Sequence, residues 1–558
     1  MASAIDRKLD DALAQQAQGN FAAAEAAYRS VLAQQPSNAD ALHFLGLVLH
    51  QTGRSGEGID LMRRSAALEP NVAIYHYNLG NALREQLRVD DAIAALRRAT
   101  SLDPRLVDAW IQLGNCLRMQ GKLDPALDAF KRVAGVPDSA GASSLLFTLW
   151  LHPKLDAQAI ANEHRRWASA MADPLTAKAA PHTNDRNPHR RLRIGYVSQD
   201  FWGHVLGRFI QPILARHDRQ NVEVFCYSDA RREDQVTEKI RAAADHWRRI
   251  TGIAHDRVAE QVRHDQIDIL IDLSAHSGIN RLPVFARKPA PLQVTYLGYP
   301  ATTGMRAMDY RITDRYFDPP GATEAQHTEA LVRLRDCYWC FPTPDIAVDV
   351  NELPASTRGH ITFGCYNSIA KVNDEILAVW SKILQRIPGA RLRVLVPGGI
   401  ENNREMPNWF ASNGVPLDRV DFAPSSRYTN YLQDYHLIDI GLDSFPFNGG
   451  ATTLDAAYMG VAVITLTGDR TVSRGGSSIL HNLNLPHLIA GTPDEYINIA
   501  TTLAADLPAL GELRKTLRSK LLTSALSDVP ALTTSLESAY RSMWHRWCRN
   551  EPAVEINL

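Results

Sequence analysis

Five short loops concentrate the residues able to do chemistry. The first, Phe445-Pro-Phe-Asn-Gly-Gly-Ala-Thr-Thr-Leu-Asp455, brings together a glycine pair, two threonines and a carboxylate. Gly449 and Gly450 permit close backbone approach, Ala451 is small, and Thr452 and Thr453 can cap a helix that opens there. Free amides at such a helix start make an anion site suited to a diphosphate. Asp455 falls in the first helical turn, where it either accepts hydrogen bonds from ribose hydroxyls or merely complements the helix dipole. The second loop, Tyr366-Asn-Ser-Ile-Ala-Lys371, places Asn367, Ser368 and a lysine at another helix start. A cation there opposes the dipole, so Lys371 is either a diphosphate-neutralising group or an ordinary surface residue. The other three loops are Asp200-Phe-Trp-Gly-His204, Ser274-Ala-His-Ser-Gly278 and Leu297-Gly-Tyr-Pro-Ala-Thr-Thr-Gly304. His204 and His276 either move a proton near neutral pH or donate hydrogen bonds to ligand oxygens, with a structural role open for both.

Each loop follows a short apolar run, and those runs are what must position it. Leu192–Ser198, Val222–Ser228, Ile267–Ser274 and Leu292–Gly298 alternate with helical stretches, and a second series follows a Pro-rich, acidic break at 342–354. The second series is Ile361–Asn367, Leu392–Val396, Val420–Ala423, Ile438–Asp443 and Val461–Leu466. Runs of this kind predict two doubly wound parallel sheets, spanning 191–345 and 346–530, with a cleft between them. Ligands of such sheets sit at the carboxyl ends of strands, where the five loops lie. A final helix in 531–558 carries Tyr540, Met543, Trp544 and Trp547 at helical spacing and is expected to pack back on both domains.

The amino-terminal part obeys a different ruler. Pro36, Pro70 and Pro104 recur every 34 residues, as do Gly46, Gly80 and Gly114. This is the tetratricopeptide period, so residues 1–137 form an α-solenoid of helix pairs. The glycines mark close helix approach, and Tyr28, Met62, Leu96 and Phe130 supply the bulk of each second helix. Asn81 and Asn115 share one repeat position, where they are either solvated polar residues or a ladder that holds the backbone of an extended peptide. Residues 138–190 read as helices capping the solenoid and then a linker.

The chain has 558 residues, 45% of them hydrophobic, and a formal net charge of -1. Several cores can be buried, and the absence of a global charge bias argues against nucleic acid as a partner. No apolar run approaches the ~20 residues of a membrane span and no apolar signal core opens the chain, so a cytoplasmic location is expected. Six cysteines make no disulfide framework. Cys337 and Cys340 lack a second ligand pair at metal-like spacing and are expected to be core thiols.

These motifs together resemble the O-linked N-acetylglucosamine transferases, glycosyltransferases of GT-B form that carry tetratricopeptide repeats. The resemblance runs from the repeats through Arg193–Ser198, Arg287–Gln293, Leu297–Pro300 and Met308–Asp314 to the Lys371 and Asp455 loops. It implies an α + α/β protein, an α-solenoid followed by two Rossmann-like domains. The implied reaction is inverting transfer of N-acetylglucosamine from UDP-GlcNAc to Ser or Thr of proteins, without a metal or other cofactor. By the same resemblance Lys371 is the diphosphate-binding lysine, Asp455 the ribose-binding aspartate, Thr452 a phosphate contact and His204 an active-site histidine. Ala423 and Pro424 belong to the stretch holding the base, and Leu297 and Gly298, with Tyr299 and Pro300, to the sugar-side wall. The chain departs from animal members at Gly450-Ala451-Thr452, at Ser425 and Tyr428, and at Ser368.

Two other readings remain open at this stage. A related plant branch, of the SPINDLY type, uses GDP-fucose and commonly has Glu where this chain has Asp455. Alternatively, a repeat scaffold with a degenerate domain would bind nucleotide-sugar without turnover.

Overall fold

A computed structural model describes residues 4–137, 140–400, 403 and 405–558. The chain divides into two compact units, one of residues 1–141 with 396–407, the other of residues 142–395 with 408–558. In the first unit the repeats form helix pairs, such as Ala39–Gln51 with Ser55–Leu68 and Ala73–Glu85 with Val89–Leu102. Close approach explains the repeat glycines. A Cβ on Gly46 would come 2.7 Å from the Gly58 carbonyl oxygen, and one on Gly114 would meet the Phe130 ring at 2.4 Å. Tyr28, Met62, Leu96 and Phe130 are fully enclosed, as helix-pair packing requires.

The second unit holds two sheets, and every strand pair in them is parallel. The first is built from β1 (Leu192–Ser198), β2 (Val222–Ser228), β3 (His246–Arg249), β4 (Ile269–Asp272), β5 (Leu292–Thr295), β6 (Tyr310–Asp314) and β7 (Ala330–Leu334). The second is built from β8 (Thr362–Cys365), β9 (Arg391–Leu395), β10 (Val420–Ala423), β11 (Ile440–Leu442), β12 (Ala462–Leu466) and β13 (Ile489–Ala490), and the chain returns with β14 (Ile556–Asn557) beside β7. Among the described residues the orders are β14-β7-β6-β5-β4-β1-β2-β3 and β10-β9-β8-β11-β12-β13. Strand order therefore reverses between β4 and β1 in the first sheet and between β8 and β11 in the second. Ligands of doubly wound sheets bind at these reversal points. The loops that leave β1, β4, β8 and β11 are those of His204, His276, Lys371 and Gly449.

Two expectations need correcting. The segment 138–190 is expected to cap the repeats, yet Ala168 of the helix Ala157–Met171 and Ala172 at its C-cap lie in one core with Val197, Phe225 and Met305. Their small apolar face fits the first sheet, so these helices belong to the second unit. The helix Val529–Cys548 buries Leu532, Leu536, Tyr540, Met543 and Trp544 against β1 and β4 to β7. It thus braces the first sheet rather than both. Its chain crosses between lobes just before, where the Phe341 amide donates to the Leu526 carbonyl at 2.7 Å. Cys337 and Cys340 are buried free thiols, and burial pushes both pKa values up, that of Cys340 to about 12.

Candidate active site

The loop after β11 carries the anion site. Gly450 precedes the helix Ala451–Tyr458, and the amides of Ala451, Thr452 and Thr453 have no protein acceptor among the described residues. Both glycines are dictated by contact. A Cβ on Gly449 would lie 2.5 Å from Thr453 Oγ1 and 2.7 Å from Asn367 Oδ1, and one on Gly450 would lie 2.6 Å from the Trp339 ring.

Asp443, which the sequence reading did not single out, organises this loop from beneath. Its Oδ1 accepts from the Gly449 amide (2.7 Å), the Asn367 side-chain amide (2.8 Å) and the Ser444 amide (2.9 Å), and its Oδ2 accepts from Thr465 (2.7 Å). Burial raises its pKa, and the Gly449 amide is the largest influence against that rise. Thr452 Oγ1 donates to Asn367 Oδ1, which ties the β8 loop to the helix start. Asn367 is buried beneath the loop and Ser368 is exposed beside it.

Lys371 sits in the short 3-10 turn Ile369–Lys371, just before the helix Asp374–Arg386 that Asn373 caps. Its Nζ donates to the Asn448 carbonyl at 2.7 Å and stands 4.2 Å from the Phe447 ring centroid. The remaining ammonium hydrogens have no protein acceptor among the described residues. Enclosure by protein atoms brings the pKa down to about 8, and the Asp443 carboxylate holds it up against that effect. The result is a cation at the mouth of an amide-lined loop, the arrangement an anion compensates best.

Asp455 lies on the helix Ala451–Tyr458, buried, with Oδ1 accepting from the Tyr428 hydroxyl at 2.8 Å. Burial raises its pKa to about 6, against the lowering effects of Tyr428 and Arg208. Arg208 comes from the facing lobe, its guanidinium 4.1 Å from the centre of the Tyr428 ring. Ala423 closes the end of β10 in the core, and Pro424 is exposed at the rim near Tyr428.

On the first sheet His204 caps the helix Val205–Arg216, its Nδ1 accepting from the Leu206 amide at 3.3 Å. Arg208 lies one turn further along, and its amide donates to the His204 carbonyl at 3.0 Å. Through Arg208, the helix that His204 caps reaches Tyr428 and Asp455. Burial depresses the His204 pKa, while Asp200, whose Oδ1 is 3.6 Å from Nδ1, opposes the drop. A neutral ring whose Nδ1 accepts from an amide carries its proton on Nε2 and is a hydrogen-bond donor there.

The wall after β5 is fixed by strain and contact. Leu297 has φ 69°, a conformation disfavoured for a branched residue, and it packs against the cores of both lobes. A Cβ on Gly298 would fall 1.9 Å from the Leu273 carbonyl oxygen. Pro300 is half-buried.

Two residues expected to face a donor do not. His276 is fully enclosed, its Nε2 donating to the Thr303 carbonyl (2.9 Å) and its Nδ1 accepting from Ser143 (3.0 Å). Burial lowers its pKa to about 4, so it is a neutral core group. Tyr299 is likewise buried, its hydroxyl 2.9 Å from His164 Nε2. Both hold the wall from behind. They share polarity and strand-end position with true lining residues, and only the packing of the helix Ala157–Met171 tells them apart.

In the repeat unit Asn81 and Asn115 are half-buried on the helices Ala73–Glu85 and Val107–Met119. Asn115 Oδ1 accepts from Arg118 at 3.0 Å, whereas Asn81 Oδ1 has no protein partner among the described residues.

Parallel sheets meeting at paired reversal points, with an amide loop and a lysine on one side and a histidine on the other, define a GT-B glycosyltransferase fold behind tetratricopeptide repeats. A model of glycosyl transferase family 41 matches residues 136–342 and 347–536, and a tetratricopeptide model matches 9–73 and 77–142. The chain belongs to glycosyl transferase family 41. It is 39% identical over 422 residues, 74% of this chain and 45% of the relative, to a probable UDP-N-acetylglucosamine--peptide N-acetylglucosaminyltransferase SPINDLY of Petunia hybrida. Against the protein SEC of Arabidopsis thaliana, which carries the same enzyme description, it is 32% identical over 389 residues, 68% of this chain and 40% of that one. It spans less than half the length of these curated relatives. A solved Thermobaculum terrenum O-GlcNAc transferase mutant matches with 38% identity and a TM-score of 0.76, covering 99% of this chain and 100% of that one.

Proposed function

We propose that the chain is an inverting, metal-independent protein O-glycosyltransferase that moves N-acetylglucosamine from UDP-GlcNAc to Ser or Thr hydroxyls. The observation that carries this reading is Lys371, an ammonium held by the Asn448 carbonyl beside the free amides of 451–453. A nucleoside diphosphate would lie between them, its ribose hydroxyls on Asp455 in place of the Tyr428 hydroxyl. The names of the plant relatives and of the Thermobaculum enzyme support the same donor.

In the reaction the acceptor oxygen attacks the anomeric carbon from the face opposite the diphosphate. The bond from carbon to phosphate oxygen breaks, and its electron pair leaves with UDP, whose charge Lys371 and the helix amides stabilise. No metal is needed for that stabilisation. Because the cap bond leaves the His204 proton on Nε2, we assign His204 a donor role toward ligand oxygens and give the acceptor's proton to an α-phosphate oxygen. A polypeptide acceptor lies along the repeats, with Asn81 and Asn115 gripping its backbone. No helix among the described residues is long and apolar enough to cross a membrane, in keeping with work on cytoplasmic proteins.

The test is transfer itself. With EDTA present, incubation of the protein with a Ser/Thr-containing polypeptide should add an N-acetylhexosamine mass from UDP-GlcNAc and nothing from GDP-fucose. A deoxyhexose mass from GDP-fucose would assign the fucosyl chemistry instead, and no addition from either would leave a binding scaffold.

A further inference from the structure

The lip of the cleft beside His204 carries a fixed cation that the reaction does not use. Arg232 stacks over the Trp202 ring, its guanidinium carbon 3.4 Å from the ring centroid, and the Trp202 and His204 ring centroids are 5.4 Å apart. Both loops beneath this stack are pinned. Asp234 Oδ2 accepts from the Gly203 amide (2.7 Å), while its Oδ1 caps the helix Gln235–Ala243. Asp229 is buried in a two-pronged pair with Arg281 (2.7 and 2.9 Å).

The charges around Arg232 leave it without a counter-ion among the described residues. Glu233 pairs with Arg241 at 2.8 Å, Asp234 is held by the amides it accepts from, and Asp200 is engaged by the Trp202 side chain and by His204, whose Nδ1 is 3.6 Å from its Oδ1. Arg231 is exposed beside Arg232, and Arg208 adds a third cation one turn along from His204. A guanidinium stacked on an indole keeps its N–H donors in the plane of the stack, aimed outward, and gives up little freedom when it binds a carboxylate.

The geometry points to an acceptor subsite: the Trp202–Arg232 stack takes the carboxylate of an Asp or Glu side chain lying a few residues from the acceptor hydroxyl. This rests on the transferase reading of the cleft. The reacting hydroxyl sits by His204, so a polypeptide threaded there passes the stack, and its acidic side chains are drawn in while basic ones are repelled.

The probes are two fluorescent peptides that share one serine and differ only in Glu or Lys at the flanking positions. Binding is read by anisotropy with UDP present, and transfer by KM and kcat. The wild-type protein should bind the Glu peptide about tenfold more tightly, the value of one charge-assisted hydrogen-bonded pair, and added salt should erode the difference. Arg232→Ala should bring the two peptides together while kcat and the donor KM stay within about twofold. Arg232→Lys should restore part of the preference, and Arg232→Glu should reverse it. Equal binding of the two peptides by the wild-type protein, no binding of either, or an unchanged preference in Arg232→Ala would overturn the assignment. Discrimination between peptides without any UDP binding would instead remove the transferase reading and leave the acidic-peptide surface standing.

Discussion

The ammonium of Lys371 rests 4.2 Å above the ring of Phe447 while it donates to the carbonyl of the next residue, Asn448. The lysine is thereby aimed along the anion loop before any ligand arrives. Phe447 is itself backed by Phe147 at 5.9 Å, and Phe147 also touches Tyr299 at 6.0 Å. One aromatic row thus connects the lysine to the wall of the opposite lobe.

Lys371→Ala should lower kcat by about 10²–10³-fold, as expected for loss of a preorganised charge at the leaving group. The active form is the ammonium and its pKa is about 8. Wild-type kcat/KM should therefore fall as pH rises through about 8, and a pH–rate profile checks this. An unchanged profile between pH 7 and 9 would mean that this amine is not the titrating group.

Asp455→Asn should trade affinity for stability. The folded-state pKa of Asp455, about 6, lies above the unfolded value of about 3.9. The folded protein then holds more protons between those values, so the residue costs stability as pH rises through about 4 to 6, and the full cost applies at pH 7. The variant should be about 1–3 kcal/mol more stable at pH 7 and indistinguishable near pH 4, while its donor Kd rises at least tenfold. Denaturant melts at both pH values, with a donor titration, decide it.

His204→Asn separates two roles. If His204 donates from Nε2, the variant should lose roughly 10-fold in kcat, within the range of one hydrogen bond to a charged oxygen, and Asp200→Asn should change little. A loss of roughly 10²–10⁴-fold, accompanied by disappearance of the acid limb of the pH profile, would show a general base.

Gly298→Ala should damage the fold before it damages binding. A Cβ 1.9 Å from the Leu273 carbonyl oxygen overlaps backbone that no rotamer can move. A loss of roughly 2 kcal/mol or more is expected, which is a fall in Tm of at least about 2–3 °C for a unit of this size. Thermal melts with and without UDP check this.

Much of the architecture was legible in the chain because it is written locally. The 34-residue repeat, the alternation of apolar runs with helices, and the glycine, threonine and lysine at strand ends all declare themselves within a few residues. What escaped depends on distant partners. Asp443 looks like any strand-end aspartate until the Gly449 amide and Asn367 are seen to converge on it. Arg208 matters only because Tyr428 lies across the cleft, and the edge strand β3, His-Trp-Arg-Arg, has no apolar alternation to announce it. His276 and Tyr299 were legible as polar strand-end residues but not as inward-facing ones, since His164 and Ser143, which engage them, lie more than 130 positions away.

The central claim is that Lys371 and the 449–453 loop hold a uridine diphosphate. Calorimetric titration of UDP, GDP, UDP-GlcNAc and GDP-fucose into the metal-free protein and into Lys371→Ala tests it most directly. The account predicts that UDP and UDP-GlcNAc bind in preference to the guanosine compounds and that Lys371→Ala weakens both at least tenfold. Guanosine preference, or uridine binding unaffected by the substitution, would contradict it.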